Sequence, residues 1–382
     1  MHGVEKPRGR GAGNLMRTPA SIAFFIRALD GGGASRDAIV LANALADQGH
    51  KIALLTLQAE GPLRSLVSPR AEIVAVGAAR LRTAAPSLAR TLRLLRPDVL
   101  VSAEAAPNVV ALLATRLLPK TLRPKLVLRE ASSPSAARAF PVNAANRWGY
   151  LAARHVYKRA DLIVALTEGA KRDLALNFGV KAAKIAVMST NAVLTPDIMA
   201  RLSQQKSLAR ERGLIACVGR LSPEKDQLTL MRAMALLARE HEVRLVLAGE
   251  GPLKPAIAGL IAKEGLSDRV ALAGHVDDPY ALLQRAELAV CSSIYEGFGN
   301  AIVEALACGT PVVSTDCPYG PREILDSGKY GRLVPVGDAA ALAEAMAKAL
   351  ADPVDRGALR RRGFLFTADR AAAEFLRIMG SI

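Results

Sequence analysis

Short apolar runs alternate along this chain with longer stretches whose apolar positions recur at helical spacing. The runs Ser21–Arg27, Lys51–Leu57, Glu72–Val76, Asp98–Ser102, Lys125–Arg129, Asp161–Leu166 and Lys184–Met188 read as strands. Between them lie helical patterns such as Arg36–Gln48 and Pro86–Leu95. Strands alternating with helices imply a parallel sheet joined by right-handed crossovers. The polar stretch Asn191–Gly213, with Pro196 and several Lys, Arg and Gln, reads as a linker with a short helix. The pattern then restarts, with strands Leu214–Val218, Val243–Leu247, Val270–Ala273, Leu288–Cys291, Pro311–Ser314 and Arg332–Val334. Helices fill the gaps, among them Gln227–Arg239 and Asn300–Ala307. The expected organisation is an α/β doublet: a domain over 19–195, a linker over 196–213 and a second domain over 214–353. A helical segment rich in Arg and Ala follows over 354–382, and residues 1–18 form a basic, Gly-rich tail expected to be disordered. Ligands of such folds bind where the carboxyl ends of the strands face a cleft.

Composition supports this reading. A chain of 382 residues exceeds what one core usually serves. The hydrophobic fraction is 51% but aromatics are only 4%. Cores of Leu, Val, Ile and Ala suit parallel sheets covered on both faces. No apolar run approaches the roughly 18 residues that a membrane span needs. Ser21–Leu29 is too short for a secretory core and reads as a strand. Cys217, Cys291, Cys308 and Cys317 form no C-x-x-C pair and read as buried free thiols of a reducing compartment. The histidines, His2, His50, His155, His241 and His275, lack the H-E-x-x-H spacing of a zinc site.

Charge adds a clue about partners. The net charge is +16, and residues 1–180 hold 26 Lys/Arg against 12 Asp/Glu, while the rest holds 25 against 23. A basic first half implies a polyanion: a phospholipid surface, a lipid diphosphate or nucleic acid.

The sharpest motif is Tyr295-Glu296-Gly297-Phe298-Gly299-Asn300-Ala301-Ile302-Val303-Glu304. It follows a strand and opens a helix, so glycines permit close backbone approach and free N–H groups favour phosphate. Glu296 and Glu304 are acceptors suited to hydroxyls at two ends of one ligand, such as a nucleotide-sugar. A cap carboxylate plus a solvated Glu is the alternative. Next comes Val218-Gly219-Arg220-Leu221-Ser222-Pro223-Glu224-Lys225-Asp226, where Arg220 and Lys225 can converge on a diphosphate. A surface turn with solvated charges is its alternative. Gly249 and Gly251, in Leu247-Ala248-Gly249-Glu250-Gly251-Pro252, make either a ligand-binding loop or a plain tight turn. In Ala273-Gly274-His275-Val276-Asp277-Asp278 the backbone can lie against a nucleobase, with His275 as loop packing. In the first half, Asp30-Gly31-Gly32-Gly33-Ala34-Ser35 lacks the dinucleotide and P-loop spacings, yet Gly31, Gly32 and Gly33 can admit a phosphate or an acceptor hydroxyl.

Together these strand-end loops resemble the retaining glycosyltransferases of family 4, which have the GT-B fold of two Rossmann-like domains. The resemblance is most specific from Gly219 to Gly337, including Ala307-Cys308-Gly309-Thr310-Pro311-Val312-Val313. The stretch Ser314–Leu325 looks like a subgroup extending undecaprenyl-diphosphate-linked glycans and surface polysaccharides. The resemblance implies that Arg220 and Lys225 hold the donor diphosphate, Glu296 the sugar hydroxyls and Glu304 the ribose. It places Gly31, Gly32 and Gly33 near the diphosphate and acceptor, and Gly249, Gly251, Val276, Gly297, Phe298, Gly299 and Asn300 along the donor. Many members carry a His at the end of one N-domain strand; here the comparable loop reads Arg129-Glu130-Ala131-Ser132. The implied chemistry uses no protein nucleophile, no resident cofactor and no metal, and D-x-D is absent from the sequence.

The expected protein is thus a cytoplasmic enzyme on the inner face of the cell membrane. Its co-substrate is a UDP-sugar or GDP-sugar, UDP favoured. Its acceptor is a glycan or lipid diphosphate, and nucleic acid is not an expected partner. The rival readings are a sugar-nucleotide epimerase or phosphorylase of the same fold, and a polyanion-binding protein with a degenerate sugar site.

Overall fold

The computed structural model describes residues 20–30, 32–141, 144–204 and 209–381. The basic tail and Gly31 therefore lie outside the described residues. Seven strands build the first sheet: β1 (Ser21–Phe25), β2 (Lys51–Thr56), β3 (Ala71–Ala75), β4 (Val99–Ala103), β5 (Lys125–Glu130), β6 (Leu162–Ala165) and β7 (Ile185–Val187). Six build the second: β8 (Glu211–Val218), β9 (Arg244–Ala248), β10 (Val270–Gly274), β11 (Ala286–Cys291), β12 (Val312–Thr315) and β13 (Arg332–Val334).

Both sheets are parallel throughout, in the orders β3-β2-β1-β4-β5-β6-β7 and β10-β9-β8-β11-β12-β13. Strand order reverses between β1 and β4 in one sheet and between β8 and β11 in the other. Loops leaving such a pair diverge and open a crevice at the carboxyl edge. The central strands are buried on both faces, as in Val99, Leu100 and Val101 of β4. Helices on both sides supply that cover.

Every expected strand is present, with ends shifted by a few residues. The largest shift is β8, which starts at Glu211 inside the stretch read as linker. Glu211 has poor strand propensity, but it takes salt bridges from Arg244 and Arg285 on neighbouring segments. Tertiary contacts override local preference there.

The terminal helical segment is two helices, Arg356–Gly363 and Ala368–Met379. The second crosses back to the first domain and packs against the helix Gly33–Asp47. Thr367 caps it by accepting from the Arg370 amide. Its Glu374 carboxylate accepts the amides of Ser189 and Thr190. Phe375 is fully buried beside Phe24, with ring centroids 6.4 Å apart. This return ties the domains together through a shared apolar cluster that includes Phe298, Ile302 and Phe366.

Candidate active site

The second crevice holds a close ion pair. Lys225, in the loop after β8, points its ammonium at Glu296, in the loop after β11. The distances are 2.6 Å to Oε1 and 2.8 Å to Oε2. Ser293 Oγ also donates to Glu296 Oε1, at 2.6 Å. Burial alone would lower the Lys225 pKa, but the Glu296 charge and hydrogen bonds raise it above the ordinary lysine value. The site is therefore a fixed ion pair with a cation held charged.

The loops around this pair are braced by glycines. A Cβ on Gly251 would lie 2.2 Å from the Leu221 carbonyl oxygen, and one on Gly249 1.9 Å from that of Gly219. The loop after β9 thereby presses on the loop that carries Arg220, and Leu221 N–H donates to the Glu250 carbonyl at 3.0 Å. Gly249 and Gly251 thus act as tight-turn residues that shape the Arg220 loop. Gly297 meets the other domain: its Cβ would be 1.9 Å from the Ala131 carbonyl oxygen. Beside it Ser133 Oγ donates to the Glu296 carbonyl at 2.6 Å.

Arg220 is exposed and crosses the cleft. Its guanidinium comes 3.9 Å from where a Cβ on Gly32 would stand. Arg220, Gly32 and Gly33 line one cleft with Arg27, Asp30 and Glu104. The structure therefore pairs Lys225 with Glu296 and sets Arg220, from the same loop as Lys225, in one cleft with Gly32 and Gly33.

Other expected residues lie elsewhere. Arg129 and Glu130 end β5, and alternate side chains of a strand point to opposite faces. Both faces of this strand are covered, so both side chains are buried instead of lining the cleft. Arg129 donates to Asn191 and faces Asp37. Glu130 accepts from the hydroxyls of Tyr150 and Tyr157 and from the Ser132 amide, and burial raises its pKa to about 7. It is the following residues, Ala131 and Ser133, that reach the donor side.

Phe298 is packed in the core, edge-on to Phe366 at 5.6 Å, so its ring is buried rather than exposed in the cleft. Gly299 precedes the helix Asn300–Ala307 with φ 112°, a left-handed value that favours glycine. Asn300 donates to Asp37 at 2.7 Å and accepts from Asn191 at 2.9 Å. Glu304 is buried, which raises its pKa, and Arg36 of the first domain counters this from 3.2 Å. Val276 is half-buried after the outer strand β10. His275 beside it is exposed rather than packed, and its Nε2 lies 3.5 Å from Asp277.

Sequence reading missed Arg36, Asp37, Asn191, Ser133 and Glu104. Arg36 and Asp37 directly follow the stretch Asp30–Ser35, which is the signal that would have found them. Asn191 fell within the stretch read as linker, and nothing local marks Ser133 or Glu104.

The fold has close counterparts among solved structures. Anabaena HepE in complex with UDP and glucose superposes with TM-score 0.75 over 95% of this chain and all of that one, at 21% identity. The sucrose-phosphate synthase of Thermosynechococcus elongatus gives 0.77 over 96% and 99%, at 21% identity. Two facing parallel-sheet domains of this kind define the GT-B class. The model named Glycosyltransferase Family 4 matches residues 31–190, and Glycosyl transferases group 1 matches residues 199–365. A Campylobacter jejuni N-acetylgalactosaminyltransferase acting on an undecaprenol diphosphate glycan is 31% identical over 67% of this chain and 68% of its own. The lipopolysaccharide core glycosyltransferase LpsE of Rhizobium meliloti is 31% identical over 87% and 89%. The chain belongs to the family 4 glycosyltransferases.

Proposed function

We propose that this glycosyltransferase moves a sugar from a UDP-linked donor to a hydroxyl of a glycan or lipid-diphosphate acceptor, retaining the anomeric configuration. The observation that carries the reading is the Lys225–Glu296 pair at the second switch point, with Arg220 beside it facing Gly32 of the other domain. Arg220 and Lys225 would receive the diphosphate. As the bond to the anomeric carbon breaks, charge grows on the leaving diphosphate, and fixed cations stabilise that charge without reorganising. These cations take the role a metal ion plays in other transferases. Glu296, held by Lys225 and Ser293, keeps lone pairs for the donor-sugar hydroxyls. β10, β9, β8 and β11 are consecutive neighbours, so the ends of β10 and β11, which lead to Val276 and to Glu296, are about 14 Å apart at ideal strand spacing. That span suits a nucleotide-sugar laid along the edge. The enzyme would work in the cytoplasm against the inner face of the cell membrane, where a lipid-linked acceptor is presented.

Thermal shift against a panel of UDP-sugars and GDP-sugars, with and without EDTA, tests this. A ligand that binds only the folded state raises its melting temperature. The expected result is a rise with one or more UDP-sugars that EDTA leaves intact. No rise with any donor rejects the reading, and a rise abolished by EDTA rejects its metal-independent form.

A further inference from the structure

Strand order in the first sheet reverses between β1 and β4, and the residue that leaves β4 is Glu104. It precedes the helix Ala105–Leu117 but makes no side-chain capping bond to it. Its backbone sits at φ 74°, ψ 149°. That region is adopted almost only by glycine and is strained for other residues. A glutamate persists there when its side chain is needed where this backbone sends it.

Glu104 lines one cleft with Arg27, Asp30, Gly32, Asn146 and Arg220. Burial raises the Glu104 pKa to about 7; Arg27 and Arg220 pull it down and Asp30 pushes it up. Of these groups, Arg27 and Asp30 come from the loop after β1 and pair with each other. Arg220 comes from the second domain, where it is argued to take the donor diphosphate. Glu104 therefore stands on the acceptor side of the place where the diphosphate leaves, within the field of the cation that would hold it.

We propose that Glu104 receives the attacking hydroxyl of the acceptor and takes its proton as the new glycosidic bond forms, an assignment that rests on the transferase function above. The acceptor oxygen bonds to the anomeric carbon on the same face that the diphosphate leaves, so the configuration is kept. The bond from that carbon to the diphosphate breaks, and its electron pair leaves with UDP. The hydroxyl proton passes to Glu104, which returns it to solvent before the next turnover. A carboxylate poised near neutrality suits a proton acceptor.

The test uses the full chain with the UDP-sugar found by the thermal-shift panel. Glu104→Gln should lower kcat/KM for the acceptor by about 100-fold or more, while UDP affinity stays within about twofold of wild type, as expected of a group that does not touch the donor. In the wild type kcat/KM should fall as pH drops below about 7, and Glu104→Gln should lack that limb. Glu104→Gly suits the backbone and keeps the fold; added formate should restore part of its rate. Wild-type rates in Glu104→Gln overturn the proposal. So does a slow Glu104→Gln that keeps the acidic limb while formate fails to rescue Glu104→Gly, because that pattern marks a merely structural role. A wild type that transfers sugar from no donor would instead defeat the transferase reading itself.

Discussion

Lys225 Nζ stands within hydrogen-bond reach of both oxygens of Glu296, bridging the loops that follow β8 and β11. One residue of this pair is argued to meet diphosphate and the other sugar. Lys225→Ala and Arg220→Ala should each weaken UDP binding by about 1.5–3 kcal/mol, the worth of a charge-assisted hydrogen bond. Calorimetry with UDP reads this directly. The two differ in stability. Arg220 is exposed, so its loss leaves the melting temperature unchanged. Lys225→Ala strands a buried carboxylate and lowers it. Adding Glu296→Gln to Lys225→Ala should recover much of that loss. Unchanged UDP affinity in both single variants removes the two cations from the donor site.

The two glutamates of the main motif should separate in their effects. Glu296→Gln is expected to harm transfer far more than UDP affinity, because its partner is the sugar. Glu304→Gln should weaken UDP itself through the ribose. It also loses the charged partner of Arg36, so the melting temperature should drop in Glu304→Gln. Transfer rates and UDP affinities measured side by side decide the matter, and the reverse pattern would exchange the two roles.

Asn191 links the domains through a buried polar cluster. Its amide donates to Asp37 and Asn300, and its oxygen accepts from Arg129. Asn191→Ala would leave Asp37 and Arg129 buried with fewer partners, at a cost of about 1–3 kcal/mol. Thermal denaturation should show a clear fall in melting temperature. A melting temperature equal to wild type would mean that the cluster contributes nothing to holding the domains in this arrangement.

Much of this was legible in the sequence because parallel strands buried on both faces read as apolar runs. The same runs end in the loops that carry Lys225, Glu296 and Arg220, so position together with residue type singled those residues out as candidates. Arg129 and Glu130 show where that logic stops. Both end a strand, yet strand alternation and the cover on each face decide whether a side chain reaches the cleft. Phe298 lies within the motif but faces the core, because the returning terminal segment places Phe366 against it. Arg36 and Asn191 act across domains, and such pairings depend on how two units dock rather than on any local pattern.

Glu130 should leave a mark on stability against pH. Its folded pKa is raised to about 7 from 4.5 by burial. Between those values the folded carboxyl is protonated while the unfolded one is ionised. The native state therefore holds more protons, and stability falls as pH rises from about 4.5 to about 7. The full effect is on the order of 3 kcal/mol. Glu104 acts in the same direction, so Glu130→Gln should remove only part of the slope. Thermal denaturation between about pH 5 and about pH 8 checks this. An identical slope in Glu130→Gln would exclude Glu130 as a source.

The last prediction concerns the outer face of the first domain. Helices Ala85–Leu95, Ala105–Leu117 and Ala144–Val156 pack side by side there. They expose Leu94, Leu113, Leu117 and Leu151, each at least half accessible. Arg90, Arg93, Arg96, Arg116, Arg154, Lys158 and Arg159 are exposed on or just after the same helices. Arg123 and Arg159 are spoken for in part, since Arg123 donates to the Leu118 and Arg116 carbonyls and Arg159 to the His155 carbonyl. Among the described residues no helix is long and apolar enough to cross a membrane. Apolar side chains ringed by arginine instead suit a helix face lying on an anionic leaflet. Each basic residue near such a surface contributes about 1 kcal/mol, and the contribution decays within a Debye length. Sedimentation should therefore show binding to anionic vesicles but not neutral ones, weakened by salt. Replacing Arg90, Arg93 and Arg96 together with Glu should abolish it without changing UDP affinity. Leu94→Glu should weaken what remains at high salt, where the apolar contact dominates. Equal binding to both kinds of vesicle, or none to either, would leave the basic face without a membrane role.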